Sequence, residues 1–226
     1  MIISIHQPAY LPWLGYFDKI ARADLFVFLD TVQFEAGSFI NRNRIKTANG
    51  PAWLTIPVKA KDHLAKTLLE LEVDARQPWR DKHLRSIRYA YAKAPRFTEC
   101  MPRLAGLFSD SEQLLAEICY RQLLFWLDEL GIKTPVVRAS SLPDCGRKSD
   151  LVLNICRHLG ATCYISGALG RGYLVEESFR AAGITVEFQD YRHPAYPQLH
   201  GDFLPYMSIV DFWMNCDTPN LIWSTS

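Results

Sequence analysis

The chain has 226 residues, 49% of them apolar and 22% charged, a balance that fits a globular fold and excludes a disordered chain. Its 25 basic and 24 acidic residues give a formal net charge of +1, which argues against duplex DNA as a partner. No apolar run reaches about 18 residues and the opening Met1–Tyr10 has no basic and apolar leader pattern, so a cytoplasmic protein away from the membrane is expected.

Met1 to Ile5 is short, apolar and β-branched, and predicts a strand ending at His6-Gln7-Pro8. Pro8 and Pro12 stiffen the next segment. Leu14, Phe17 and Ile20 recur at helical spacing and predict a helix over Leu14 to Ala23. Leu25 to Leu29 reads as a second buried strand closed by Asp30. Thr31 to Gly50, rich in Asn and Arg, reads as a long loop. Strands are expected at Trp53 to Val58 and Leu68 to Val73, joined through Lys61-Asp62-His63, and a basic helix at Pro78 to Ala92. Ser109-Asp110-Ser111-Glu112 has the form of a capping box opening a helix that ends at Gly131. Pro135 to Ala139 predicts a strand, Ser149 to His158 a helix, and Cys163 to Ser166 a strand before a glycine-rich turn. A short helix at Leu174 to Ala182, a strand at Ile184 to Phe188, an irregular Pro194 to Pro205 loop and a helix at Met207 to Asn215 complete the chain.

Strands alternate with helices at both ends, and their continuous apolar runs suit a parallel sheet covered on both faces. The expected fold class is therefore α/β, a mostly parallel Rossmann-like sheet with a helical insertion. It forms one domain over 1–226 with a helical middle at about 76–131. The six cysteines contain no CxxC pair, and Cys119, Cys156 and Cys163 fall in apolar periodic segments as core residues.

Four polar clusters carry the candidate chemistry, and three follow a predicted strand, where open α/β sheets bind ligands. The first is His6-Gln7-Pro8-Ala9-Tyr10-Leu11-Pro12-Trp13-Leu14-Gly15-Tyr16. His6 is a candidate acid, base or anion donor, with Gln7, Tyr10, Trp13 and Tyr16 as substrate contacts. The bland alternative is a structural histidine with aromatic core. The second is Asp30 with Gln33, where Asp30 either serves the site or simply caps its strand. The third, Asn41-Arg42-Asn43-Arg44-Ile45-Lys46, places three cations and two amides in six residues. That composition suits a phosphate or diphosphate, against the alternative of a solvated basic loop; Lys59 and Lys61 lie nearby in sequence. The fourth joins Ser166, Gly167 and Tyr173 of the glycine turn to His193, Tyr196, Gln198 and His200 of the Pro/His/Tyr loop. The turn matches neither GxGxxG nor GxxxxGK[ST], and Asp190, His193 and His200 lack zinc spacing, so no metal is expected.

These same residues resemble the WbqC-like family of bacteria. The resemblance covers nearly the whole chain. It rests on His6-Gln-Pro-x-Tyr-Leu-Pro-Trp-x-Gly-Tyr-Phe-x-Lys-Ile, Phe28-Leu-Asp-x-Val-Gln-Phe and Asn41-Arg-Asn-Arg-Ile-Lys. Trp53-Leu-Thr-Ile-Pro-Val, Tyr164-x-Ser-Gly and Tyr191-x-His-Pro-x-Tyr-Pro-Gln-Leu-His-Gly complete it. The resemblance implies a place in O-antigen and surface polysaccharide assembly, near enzymes of unusual amino sugars, and a link to acylating a sugar amine with glycine or a similar group. The layout around Pro12 to Gln33 is also similar to the HxGH region of pantothenate-synthetase-like enzymes, with Trp13 and Tyr16 where those enzymes have histidines.

The expected function is amide formation between an acyl donor and the amine of a nucleotide-linked amino sugar. His6 or His193 would take the proton, Asn41 or Asn43 would stabilise the oxyanion, Asp30 would support the site, and Arg42, Arg44 and Lys46 would hold the diphosphate. The donor stays open between ATP-activated glycine, a thioester and aminoacyl-tRNA. The rivals are a nucleotidyl- or glycosyltransferase of the same pathway and a non-catalytic sugar-nucleotide-binding protein.

Overall fold

The computed structural model describes residues 1–59 and 66–223. Its centre is a five-stranded parallel sheet of β1 (Ile2–His6), β2 (Leu25–Phe28), β5 (Val136–Arg138), β6 (Cys163–Ser166) and β7 (Thr185–Phe188), in the order β5-β2-β1-β6-β7. The chain steps outward from β1 through β2 to β5, then returns to the other side of β1 with β6 and β7. This is the doubly wound order of a Rossmann-like α/β fold, and the direction reverses between β1 and β6.

Strand alternation divides the apolar side chains between two layers. Ile3, Ile5, Val27 and Leu29 face α5 (Lys148–His158) and α6 (Glu176–Ala181). Phe26 and Phe28 face the layer that holds α1 (Leu14–Ala21) and α7 (Ile209–Asn215). Burial on both faces is why these strands read as continuous apolar runs. The core on the α1 side extends into the segment between β2 and β5. That segment holds the hairpin β3 (Arg42–Thr47)–β4 (Gly50–Thr55), then α2 (Trp79–Tyr91), α3 (Phe97–Phe108) and α4 (Leu115–Glu129). Trp126 of α4 meets Trp213 of α7 edge to face at 5.1 Å, joining the helices to the sheet layer.

Three sequence expectations are corrected and one helix is added. The expected loop over 31–50 contains β3, whose alternation is masked because a buried amide, Asn43, shares the inward row with Ile45. Leu68 to Val73 is not a strand; a 3-10 turn at Leu68–Glu70 is closed by a reciprocal Thr67–Glu70 capping box. The Ser109–Glu112 box does not cap α4, which starts at Leu115; Glu112 instead accepts the backbone N–H groups of Gln113 and Leu114. α3 has no counterpart in the sequence reading. Pro102 lies inside it, and burial of Cys100, Met101, Leu104 and Phe108 keeps the helix despite the backbone hydrogen bond that proline removes.

Candidate functional site

His6 ends β1 beside the point where the strand order reverses. The β1–β6 register runs Ser4 opposite Ile165, so two residues further on His6 comes level with Gly167. The His6 Nδ1–H donates to the Gln7 carbonyl at 2.8 Å, which leaves the Nε2 lone pair without a partner among the described residues. Tyr16 of α1 meets the imidazole edge on at 4.8 Å. Burial, helped by the Lys19 ammonium, pushes the imidazole down to about 3, so His6 is neutral at physiological pH. A neutral ring accepts a hydrogen bond or a proton; it does not serve as a cation for an anionic ligand. The Gln7 side chain is half-buried and has no partner among the described residues.

The loop after His6 is fixed from both sides. The Tyr10 N–H donates to Phe39 O at 3.1 Å. The Asn43 amide donates to Leu11 O at 2.7 Å and to Tyr10 O at 3.3 Å. Leu11 has φ +44, an unfavourable angle for a leucine, and the Asn43 clamp holds it there. Tyr10 is fully buried, with its hydroxyl against His83 Nδ1 at 2.7 Å. Trp13 forms an antiparallel bridge with Ser208 and packs on Tyr191 and Tyr206. A Cβ at Gly15 would fall 2.3 Å from the Trp13 ring. Gly15→Ala is therefore expected to displace Trp13 and lower stability by about 1–3 kcal/mol, read by urea unfolding. An unchanged midpoint would show that the indole is free to move aside.

Asp30 is fully buried and engaged. It accepts from Arg138 Nε at 2.8 Å and from the Ser140 N–H and hydroxyl at 2.9 Å each. Arg138 also reaches Glu117, so this cluster ties the carboxyl ends of β2 and β5 together. Across the crevice, the Ser166 hydroxyl donates to Gly167 O at 3.1 Å. Tyr164 joins Ser166 to Tyr173, whose ring is half exposed. A Cβ at Gly170 would lie 2.0 Å from Ser166 Oγ and 3.1 Å from Ser166 Cβ, so a larger residue there would have to turn the Ser166 side chain. Gln33 is exposed and bridges to Thr67, away from this group.

The Asn41–Lys46 segment splits in two. Asn43 spends both amide N–H bonds on the loop carbonyls of Tyr10 and Leu11, whereas Asn41 spends one on Ile56 O. Lys46 is 1% exposed, with Nζ donating to Asp202 O at 2.6 Å and to Gln198 Oε1 and Gly201 O at 3.2 Å each. Arg42 and Arg44 stay on the outer face, over Trp53. Lys59 pairs with Glu72, and Lys61 lies outside the described residues.

Tyr196 and Gln198 belong to the same buried network as Lys46. Asp211 accepts from Tyr91 at 2.8 Å and from Tyr196 and Gln198 at 2.7 Å each. Burial raises the Asp211 carboxyl above its usual range. His200 bonds Ala90 O, while His193 bonds Pro194 O through Nδ1. Its Nε2 is buried without a partner, among the rings of Tyr191, Tyr196, Phe203 and Tyr206. Burial lowers its proton affinity. His193 and His200 thus turn to different carbonyls, and no group of three potential metal ligands gathers among the described residues.

Sequence reasoning missed Lys19, Asp18, Gln189 and Asp211. Lys19 and Asp18 sit inside an apolar helix; both are buried, with Lys19 Nζ on Ile5 O at 3.2 Å. Burial lowers the Lys19 ammonium to about 7. Gln189, just past β7, donates to Asp18 at 2.7 Å and to Gly15 O at 2.9 Å. The available signal was the pair of ionisable residues Asp18-Lys19 set within the otherwise apolar run Leu14–Ile20. Three thiols are suppressed as nucleophiles: burial raises Cys100 and Cys156 to about 12 and Cys119 further.

An uncharacterized protein of Mycobacterium tuberculosis is 34% identical over 215 residues, covering 94% of this chain and 93% of that protein. No solved structure matches the chain. The WbqC-like protein family matches residues 7–221, spanning the loop that follows β1, the hairpin, the Lys46–Asp211 network and β6–β7. The chain belongs to the WbqC-like protein family.

Proposed function

We propose that the chain is a transferase of bacterial surface polysaccharide (O-antigen) assembly that joins glycine or a similar acyl group to the amine of a nucleotide-linked amino sugar. The observation that carries this reading is the free Nε2 lone pair of a neutral His6 at the reversal of strand order, where doubly wound sheets receive nucleotide ligands. In the reaction the sugar nitrogen attacks the acyl carbonyl. A C–N bond forms, the bond to the activating group breaks, and the proton shed by nitrogen passes to His6 Nε2. Only an unprotonated amine attacks, and burial leaves His6 neutral but a weak base, so it accepts the proton as the C–N bond forms, when the nitrogen is most acidic. Gln7 stands beside it as an uncommitted amide donor for the carbonyl oxygen. The acyl donor is an ATP-activated acid, a thioester or an aminoacyl-tRNA.

The test incubates the protein with UDP- and dTDP-amino sugars, ATP and glycine, singly and paired, with mass spectrometry of the products. A product heavier by one glycyl residue supports the reading. Release of pyrophosphate or nucleoside diphosphate without an amide product points to the rival transferases. His6→Ala is expected to slow product formation by about 10²–10⁴-fold while sugar-nucleotide affinity changes little. A variant that keeps its rate removes His6 from the reaction.

A further inference from the structure

Arg44 pairs directly across the hairpin with Trp53, and Arg42 lies on the same outward row. The Arg42 guanidinium carbon is 4.4 Å from the Trp53 ring centroid, and that of Arg44 is 5.5 Å. Phe39 leans on the same indole, centroids 5.8 Å apart at 42°. Trp53 is 47% exposed and Phe39 46%. Arg42 reaches the Gly37 carbonyl, but Nε of both arginines is buried and unpartnered, and neither forms an ion pair among the described residues. Two cations therefore share one ring with no counter-charge, an arrangement that a bound anion relieves.

The chemistry of the patch fixes the ligand class. Exposed indole and phenyl rings offer a face to a flat ring, and the forked guanidinium groups match phosphate oxygens. The patch is also tied to the crevice. Phe39 O accepts from Tyr10, and Arg44 O accepts from Ser208, which bridges Trp13. The hairpin and the His6–Trp13 loop thus share backbone contacts.

We propose that Trp53, Phe39, Arg42 and Arg44 form a binding platform for a nucleoside diphosphate, the base stacking on Trp53 and the phosphates meeting the arginines. The proposal rests on the nucleotide-sugar reading only in taking this ligand to be the substrate's own nucleotide. A plain exposed cation–π stack is the alternative. It predicts no nucleotide binding.

The test is calorimetric titration of the full chain with UDP, dTDP, uridine and pyrophosphate. Either diphosphate is expected to bind at least about tenfold more tightly than uridine or pyrophosphate, since only it engages rings and cations together. Trp53→Ala is expected to weaken UDP by roughly tenfold, Trp53→Phe to keep most of the affinity, and Arg44→Met to weaken UDP and flatten its salt dependence. Exposure of Trp53 lets these variants fold, which circular dichroism checks. The proposal is overturned if wild type binds neither diphosphate, if pyrophosphate binds as tightly as UDP, or if Trp53→Ala binds UDP like wild type. Trp53-dependent binding without acylated product would leave the platform standing and remove ATP-activated glycine transfer. Acylated product with Trp53-independent binding would do the reverse.

Discussion

Asp211→Ala is expected to destabilise the protein by about 3–5 kcal/mol, more than any other polar substitution considered. Asp211 is fully buried and receives three hydrogen bonds, from Tyr91, Tyr196 and Gln198. Removing it leaves those donors unpaired in the core. The damage would spread, because Gln198 also positions Lys46 Nζ and the Leu204 N–H, and Tyr91 receives the Lys46 N–H. Asp211→Asn should fare little better, since its NH2 turns a donor towards groups that already donate. Urea unfolding measures the loss. A loss under about 1 kcal/mol would show that these residues find water or other partners and that the network is not structural.

Lys19→Met is expected to stabilise the protein and to remove a pH dependence. Burial depresses the folded-state ammonium from 10.5 to about 7. Between those values the unfolded chain binds the proton that the folded chain lacks, so stability rises with pH across that window and falls as pH drops towards 7. A shift of that size corresponds to about 5 kcal/mol, reduced by roughly 1 kcal/mol for the lost hydrogen bond to Ile5 O. Wild type should therefore gain stability from about pH 7 to pH 8, and Lys19→Met should stay flat over that range. The buried thiols of Cys100, Cys119 and Cys156, and at still higher pH the hydroxyls of Tyr10, Tyr16 and Tyr91, all raised by burial, oppose this trend above that range. Thermal melts across the window check it. Equal slopes for both proteins would mean that Lys19 stays charged when folded, with a counter-charge close by. The same substitution removes the cation that helps hold His6 neutral, so it should also raise the pH at which His6 takes up a proton.

The parallel sheet was legible because its strands are short apolar runs set between helical periods, and because a doubly buried strand leaves no other pattern. β3 was not legible. Its inward row mixes an amide with an isoleucine, and its outward row is two arginines, so local composition reads as loop. α3 was hidden by Pro102, whose local cost only the contacts of α3 with α2 and α7 offset.

The candidate site shows the same division. His6 was legible from a strand end, a rigid loop and a following helix. The Asn41–Lys46 segment was legible as polar and basic, but its division was not. Lys46 and Asn43 point into the protein and are held by carbonyls, while Arg42 and Arg44 remain outside with Trp53. The partners of Lys46 lie more than 150 residues away, so no local window contains them.

The sequence by itself determined the fold class, the order of the main strands and helices, and the family to which the chain belongs. These follow from periodicity, proline and glycine placement and short motifs, which are local properties of the chain. The tertiary structure alone decided which polar residues are free to meet a ligand and which are bound to one another. Burial and long-range hydrogen bonds set the charge of His6 and Lys19, and they exist only once distant segments meet.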